Sequence, residues 1–139
     1  MIYVIIQFSL LIFLGYNTPW PKYSIASIIL FSFSILFGIW SILAMGIKNL
    51  SIFPNPRESI KIKTNGPYKW VRHPMYTSVI IFSAGMLHLN AVWYMYLAFV
   101  LLVADLILKL KYEEKKLLQI SEKYNDYRKS SYCLIPYIY

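Results

Sequence analysis

The sequence predicts an all-α, polytopic membrane protein with about four transmembrane helices, two of them in a helical hairpin, and a C-terminal cytoplasmic amphipathic helix. Three observations lead to this fold class. The chain of 139 residues is 58% hydrophobic and 14% charged, whereas a water-soluble domain carries roughly 25% charged residues. Its uncharged stretches are long enough to cross a bilayer, and its basic residues flank those stretches. The length suits a single domain, residues 1–139.

The apolar segments define the helices in chain order. A bilayer core about 30 Å thick needs roughly 20 helical residues, and residues 24–47 meet this length without a charge. Residues 1–16 are uncharged but shorter. Because they lack a basic start and a small-residue cleavage site, they are predicted to be a retained helix rather than a signal peptide. Residues 75–108 are too long for one crossing, and the polar break at 88–90 predicts a hairpin of two short helices.

The segment after residue 108 is predicted to leave the membrane. The last transmembrane helix is expected to continue through Lys109 and Glu113. Beyond them, apolar and aromatic residues recur at helical spacing between charged residues, which is typical of an amphipathic cytoplasmic helix. These residues are Leu117, Ile120, Tyr124 and Tyr127. Residues 130–139 are predicted to form a non-helical apolar segment.

The placement of the basic residues predicts the orientation. Of the 14 Lys and Arg residues, one lies before residue 48, six lie in 48–73 and seven lie in 109–129. With four crossings, both basic segments fall on one side of the bilayer, which the positive-inside rule makes the cytoplasm. The protein is therefore predicted to be a multi-pass integral membrane protein. Because the basic clusters flank apolar runs and form no continuous stripe, no nucleic-acid partner is expected.

The sequence offers little for metal or redox chemistry. The single cysteine, Cys133, cannot close a disulfide within the chain. The two histidines, His73 and His88, are predicted to lie across a membrane helix from each other, so no metal site is expected. The isolated glycines exclude a Rossmann fingerprint and a P-loop, and no serine lies in a nucleophile elbow.

A dense polar and aromatic stretch, residues 65–76, is the strongest candidate for chemistry. It lies at the predicted cytoplasmic mouth of the third helix, and Pro74 fits the first turn of that helix. The free N–H groups and the positive dipole at a helix start attract an anion. The alternative interpretation is a basic interfacial anchor in front of a proline-started helix.

Two acidic residues near the last helix have open or structural interpretations. Asp105 is either a functional acid within the membrane or one half of an i,i+4 pair with Lys109. Glu114, which precedes Lys115 and Lys116, is predicted to belong to a solvated helix face.

A series of short motifs runs through residues 50–136. They are Pro54-Asn55-Pro56, Gly66-Pro67-Tyr68, Val71-Arg72-His73-Pro74-Met75-Tyr76, Glu113-Glu114, Tyr124, Tyr127 and Leu134-Ile135-Pro136. In this combination they resemble the isoprenylcysteine carboxyl methyltransferase family, and related integral-membrane phospholipid methyltransferases share much of the pattern. The length and the predicted topology fit the smaller bacterial members. The resemblance thus implies a bacterial inner-membrane location with the active site facing the cytoplasm.

The resemblance implies methyl transfer from S-adenosylmethionine and assigns roles to residues of this sequence. It gives catalytic positions to Arg72 and His73, and it makes Lys109 a substrate-binding residue. The implied cofactor contacts are Lys61, Ile62, Lys63, Tyr68, His73, Pro74, Met75, Tyr76 and Glu113. Lys109 and Glu113 lie one helical turn apart, so one helix face can present both.

The implied acceptor is a membrane lipid or a prenylated small molecule. Carboxyl methylation of an isoprenylcysteine-type carboxylate leads, because a carboxylate is already ionised at neutral pH and alignment suffices without a base. One alternative is N-methylation of a phosphatidylethanolamine-type lipid, for which Glu113 or His73 is the candidate base. The other is a non-catalytic membrane interaction protein. Departures from the family pattern are Ser78 in place of glycine, Lys109 in place of arginine, Ile120-Ser121 near the usual Phe-Gly, and a spacing from the acidic pair to Tyr124 that is one residue short.

Overall fold

The computed structural model describes residues 2–46, 63–121 and 123–136. Its helices are α1 (Ile2–Tyr16), α2 (Ile25–Met45), α3 (Pro74–Leu89), α4 (Trp93–Ile120) and α5 (Lys123–Lys129), and a 3-10 turn covers Gly66–Lys69. Within these residues the extended structure is one isolated parallel bridge between Val71 and Tyr132. The all-α prediction is confirmed. Lys61 and Ile62, two of the predicted cofactor contacts, lie outside the described residues.

Local chemistry explains the ends of α2. The Ser24 hydroxyl accepts a hydrogen bond from the Ser27 amide at 3.2 Å, and the Ser27 hydroxyl accepts one from the Ser24 amide at 2.9 Å. This reciprocal capping box satisfies amides that have no partner at a helix start. Gly46 ends the helix with φ of 80°, a conformation that favours glycine. The helix is two residues shorter at its end than the predicted span 24–47.

The predicted hairpin is present, with its break slightly later than expected. Helix α3 starts at Pro74 and ends at Leu89, and residues 90–92 connect it to α4. Helix α4 then continues without interruption from Trp93 through Lys109 and Glu113 to Ile120. The prediction that the last apolar helix carries on into the charged segment is thus confirmed.

The spacing of its apolar residues predicted that the amphipathic tail is one continuous helix. This prediction was wrong, because the helix is interrupted after Ile120. Ser121 has extended dihedrals, φ −145° and ψ 117°, and ends α4. Helix α5 starts anew at Lys123. This break changes the direction of the chain and lets Tyr124, only 3% exposed, pack back against α4. Residues 130–136 are non-helical, as predicted.

The two connections that carry few charges meet at one end of the bundle. Asn90 Nδ2 donates a hydrogen bond to the Asn17 carbonyl at 2.8 Å. His88 Nε2 lies 3.2 Å from the Ser24 hydroxyl, at the start of α2. The segments before α3 and after α4 therefore lie at the opposite end of the bundle.

Length and composition identify two helices that can cross a membrane, α2 and α4. Helices α1 and α3 have 15 and 16 residues, so they span about 22 Å and about 24 Å, less than a full bilayer core. The count of four crossings remains a prediction. Much of α2 is apolar and exposed, with Leu36 67% and Leu43 69% accessible, which fits a surface that faces lipid.

Small residues allow α2 and α3 to approach closely. Ser27, Ser34 and Ser41 recur every seven residues on one face of α2, and all three are buried. The Ser34 hydroxyl donates to the Ser78 carbonyl at 2.7 Å. A Cβ atom on Gly38 would lie 3.2 Å from Ser78 Oγ. Ser78, a departure from the family pattern, thus faces a glycine on the neighbouring helix. Such stripes of small residues are common where membrane helices pack.

Helix α4 packs against α1 and α3 through an apolar core. Its Ala98, Leu102 and Leu106 meet Leu14 of α1 and Met86 of α3. Below this core, Leu110 packs against Cys133 and Leu134 of the tail. This packing therefore fixes the position of α4 relative to the tail segment that holds the candidate site.

Replacing Gly85 by alanine is expected to destabilise the bundle by about 1–3 kcal/mol, the usual cost of overpacking. The added Cβ would lie 2.7 Å from Cε1 of Phe31. The Phe31 ring is itself held against Trp20 and Phe82 and cannot move away freely. Gly15→Ala is the matched control, because its Cβ would meet its nearest atom at 4.0 Å. Reversible unfolding in mixed micelles measures both; equal stabilities of the two variants would contradict the packing described.

Candidate active site

The candidate site forms where the tail pairs with the segment that leads into α3. The Arg72 amide donates to the Tyr132 carbonyl at 2.8 Å, and the His73 amide donates to the Cys133 carbonyl at 3.1 Å. Further along, the Thr77 hydroxyl donates to the Leu134 carbonyl at 2.6 Å. These bonds satisfy buried backbone groups that no helix serves. The tail is therefore fixed beside the start of α3.

Glu114 is the centre of a buried ionic group, which we call the Glu114 cluster: Arg72, His73, Glu114, Tyr124 and Arg128. Glu114 Oε1 lies 2.7 Å from Arg72 Nε, 3.3 Å from His73 Nε2 and 3.3 Å from the Tyr124 hydroxyl. Glu114 Oε2 lies 3.7 Å from Arg128 Nε. Glu114 is only 7% exposed. The prediction of a solvated face was wrong, because the tail folds back and covers this side of α4.

Arg72 holds the tail through several bonds at once. Besides Glu114, its Nη1 donates to the carbonyls of Arg128, at 3.1 Å, and of Ser131. Burial would lower the pKa of Arg72, but the hydrogen bond and charge of Glu114 outweigh it and raise this pKa. The guanidinium thus stays charged, and two of its nitrogens already have protein partners.

Glu113 lies beside two side chains at the start of α3, those of Tyr76 and of His73, the residue before the helix. The Tyr76 hydroxyl donates to Glu113 Oε1 at 2.6 Å. The His73 ring stacks on the Tyr76 ring, with 5.5 Å between centroids and 2° between planes. His73 Nδ1 lies 3.8 Å from Glu113 Oε2, beyond hydrogen-bond distance. Since ring and carboxylate are held in place, Oε2 can accept a hydrogen bond from a ligand.

Lys109, one helical turn before Glu113 on α4, lies beside the same tyrosine. Its Nζ lies 4.9 Å from the Tyr76 ring centroid and donates to Gln7 Oε1 at 3.0 Å. Lys109 and Glu113 thus share one helix face, as their spacing predicts. Across the described residues, no nitrogen–oxygen contact within 4 Å joins Lys109 to Asp105, so the ion pair considered for these two is not formed. Asp105 is buried, and its Oδ2 has no hydrogen-bond partner among the residues that the structure describes.

The other predicted cofactor contacts within the described residues lie in the segment that leads into α3 and at the start of that helix. Tyr68 is 3% exposed, and its carbonyl accepts a hydrogen bond from the Tyr127 hydroxyl. The pKa of the Tyr68 phenol is raised far above its ordinary value, chiefly by burial and then by the charges of Tyr127 and Glu113. Pro74 is buried as the first residue of α3, while Met75 and Lys63 are half-buried.

Ligand-type atoms of His73, Glu114 and Cys133 lie within 4.8 Å of one another, a spacing that suits a metal ion. The guanidinium of Arg72 already binds Glu114 Oε1 at 2.7 Å. A cation at this point would repel that guanidinium. We therefore interpret the three residues as part of the ionic network, and the absence of a metal remains a prediction.

A comparison with protein families gives the site its context. A family model described as phospholipid methyltransferase matches residues 23–124. The chain belongs to the phospholipid methyltransferase family. This family is part of a group of membrane methyltransferases that includes the isoprenylcysteine enzymes, so the resemblance noted from the sequence is confirmed. Comparisons with curated proteins and with solved structures give no match.

Membership of the phospholipid methyltransferase family, with two apolar helices, indicates a membrane methyltransferase. The matched residues include His73, Lys109 and Glu113, whereas α1 lies outside them. Sequence reasoning missed the central position of Glu114 and the contact made by Gln7. A signal for Gln7 was available, because it is an amide in the middle of an apolar helix.

Cys133 reports on the docking of the tail. Burial and then the charge of Glu114 raise the pKa of its thiol to about 11, so roughly one thiol in a thousand is ionised at pH 8. We expect maleimide to label this sole cysteine slowly in the native protein. Arg72→Ala should free the tail and speed labelling at least tenfold, whereas Arg128→Ala, at a half-exposed side chain, should change it less. Slow labelling of Arg72→Ala would mean that the backbone bonds alone hold the tail.

Proposed function

We propose that this protein transfers a methyl group from S-adenosylmethionine to a lipid-like acceptor in the membrane. The proposal rests on one observation in this member of a methyltransferase family. Glu113 Oε1 is bound by Tyr76. Glu113 Oε2 lies beside His73 and Tyr76, and neither residue donates a hydrogen bond within 3.5 Å to this oxygen. A carboxylate held by one tyrosine bond, whose other oxygen lies 3.8 Å from His73 Nδ1, is suited to bind a polar ligand.

The residues present fit the chemical groups of that cofactor. S-Adenosylmethionine supplies a methyl group on a sulfonium and carries an amino acid, a ribose and an adenine. Glu113 Oε2 suits its ammonium or ribose hydroxyls, and His73 at the start of α3 suits its carboxylate. The half-exposed Trp70 ring suits stacking on adenine. The proposed cofactor contacts remain Lys61, Ile62, Lys63, Tyr68, His73, Pro74, Met75, Tyr76 and Glu113.

The task of the protein is alignment in a site with little water. Methyl transfer is an in-line displacement, so fixing the nucleophile against the methyl group accounts for much of the rate. His73 is held by stacking on Tyr76 and by Glu114, and we propose that it contacts the reacting groups. Arg72, bound to Glu114 and to tail carbonyls, is proposed to position His73 and the tail around the site.

The leading acceptor is an isoprenylcysteine-type carboxylate. The buried ammonium of Lys109 lies beside Tyr76, one turn from Glu113, and a cation there would attract an anionic acceptor. A carboxylate needs no deprotonation before it attacks, so this acceptor requires no base in the site.

The alternative acceptor is the amine of a phosphatidylethanolamine-type phospholipid. The description of the matching family favours it. An amine must lose a proton first, and His73 or Glu113 would accept that proton. In either case we propose a multi-pass protein with the site on the cytoplasmic side, since the described basic residues before α3 and those of α5 lie at that end of the bundle.

A methyl-transfer assay tests the function and separates the acceptors. Purified protein, labelled cofactor and a membrane lipid extract are combined, with and without a prenylcysteine mimic. A base-labile methyl ester identifies a carboxylate acceptor, and a methylated amine headgroup identifies the phospholipid. No product with either acceptor, together with no cofactor binding in calorimetry, would contradict the proposal and favour a non-catalytic membrane protein. The double variant His73→Ala with Glu113→Ala is the inactive control.

A further inference from the structure

Gln7 is a buried amide in an otherwise strongly apolar helix. It lies in the middle of α1 and is 8% exposed. Contacts of Tyr3 with Tyr112 and of Phe13 with Tyr94 show that α1 packs antiparallel along α4. This packing places Gln7 opposite Lys109. A buried polar side chain in such a position is costly unless it is bonded, and its bond is to Lys109.

Lys109 is a buried cation whose neighbouring acids lie apart from it. It is 3% exposed, and no carboxylate oxygen of the described residues lies within 4 Å of its Nζ. An ammonium has three donors. One is bound to Gln7 Oε1 at 3.0 Å, and the Tyr76 ring lies 4.9 Å away. A donor remains for a further acceptor. Glu113 and Asp105 act on the ammonium only from beyond 4 Å, so an anionic acceptor in direct contact is favoured.

An amide at position 7 can hold the Lys109 ammonium in place without neutralising its charge. A carboxylate at the Gln7 position would form a buried ion pair and cancel the attraction for an anion. The Gln7 oxygen accepts a hydrogen bond while remaining neutral. It therefore fixes the direction of Nζ next to Tyr76 without competing with an anionic ligand.

We propose that Gln7 is a positioning residue that aims the Lys109 ammonium at an anionic oxygen of the acceptor lipid. The inference rests on the proposed function, because it deepens the role of Lys109 in that site. It also gives α1, which lies outside the family-matched residues, a part in selecting the acceptor. The anionic oxygen belongs to a carboxylate in a prenylcysteine or to a phosphate in a phospholipid.

The test compares ligands with and without the anionic group. Calorimetry in detergent micelles measures the affinity for a prenylcysteine acid and for its carboxamide. A second pair, dihexanoyl phosphatidylethanolamine and dihexanoylglycerol, tests the phosphate in the same way. The variants are Gln7→Met, which keeps the length of the side chain but not its amide, and Lys109→Met. Ser9→Met, at an exposed position on the same helix, is the matched control.

We expect Gln7→Met to weaken binding of the charged member of one pair about tenfold, the value of one hydrogen bond. Binding of the uncharged member should change less than twofold, which a merely structural role would not produce. Lys109→Met should remove the same preference, and adding Gln7→Met to it should cost nothing more, because the two residues act as one unit. Ser9→Met should bind like the original protein.

Two results would overturn the inference: an unchanged preference for the charged ligand in Gln7→Met, or no such preference in the original protein for either pair. The first result leaves methyl transfer intact and contradicts only the role of Gln7. If the original protein shows the charge preference and Gln7→Met loses it, while no methyl product forms, then the inference stands and the proposed function fails. The two failures are thus distinguishable.

Discussion

Glu114→Gln is expected to lower the free energy of unfolding by about 3 kcal/mol and to abolish methyl transfer, because breaking a buried ion pair leaves an uncompensated charge. Arg72, with its side chain 9% exposed, would lose its counter-ion at 2.7 Å. His73 and Tyr124 would share a neutral amide oxygen in place of a charged carboxylate, which weakens their bonds and part of the attachment of the tail. Unfolding in mixed micelles and a single-turnover methyl-transfer assay measure the two effects.

Asp126→Asn is the matched control for this loss of a carboxylate. Asp126 lies on α5 and pairs with Lys129 at 3.8 Å, where both side chains are largely exposed. Removing such a surface pair changes stability by less than about 1 kcal/mol. The double variant Arg72→Met with Glu114→Met should lose less stability than the two single variants combined, since it removes both charges. Additive losses, or a Glu114→Gln protein as stable as Asp126→Asn, would contradict the central position of Glu114.

Substitutions at Glu113 and Lys109 are expected to separate kinetically, although both side chains reach Tyr76. Glu113→Gln keeps the size of the side chain and removes its charge, so cofactor affinity should fall about tenfold, as expected for a lost charged hydrogen bond. Lys109→Ala should leave cofactor affinity nearly unchanged and raise the KM for the acceptor, because it removes binding in both the ground state and the transition state. Calorimetry with the cofactor and steady-state kinetics with the acceptor give the two quantities.

Lys109→Arg separates the two possible acceptors within the same set of measurements. A guanidinium can bind both oxygens of a carboxylate, so this variant should retain or improve activity on a prenylcysteine acid. It should bring no gain on an amine lipid. If Lys109→Ala lowers cofactor affinity as much as Glu113→Gln does, the two residues do not divide the site as proposed.

Periodicity and helix-capping rules predicted most of the local structure. Ser24 caps α2 where the uncharged span was predicted to begin, and the hairpin breaks within two residues of its predicted position. The four-residue spacing of Lys109 and Glu113 also predicted their common face. Each of these features depends on neighbours within one or two helical turns, which a sequence pattern records directly.

Contacts between distant parts of the chain could not be predicted in this way. Glu114 stands before two lysines, a pattern typical of a solvated face, yet its partner Arg72 lies 42 residues away. What buries Glu114 is the break at Ser121 and the return of the tail to Val71. The bond between Gln7 and Lys109 joins residues 102 positions apart. Such contacts depend on how the helices pack, about which a single sequence carries no periodic signal.

The bridge between Val71 and Tyr132 has a consequence for the biosynthesis of the protein. A product that is truncated after Ser130 still contains helices α1 to α5. It still lacks the Ser131 carbonyl that binds Arg72 and the Leu134 carbonyl that binds Thr77. We therefore expect such a truncated product to keep its helices while its Glu114 cluster is open to proteases.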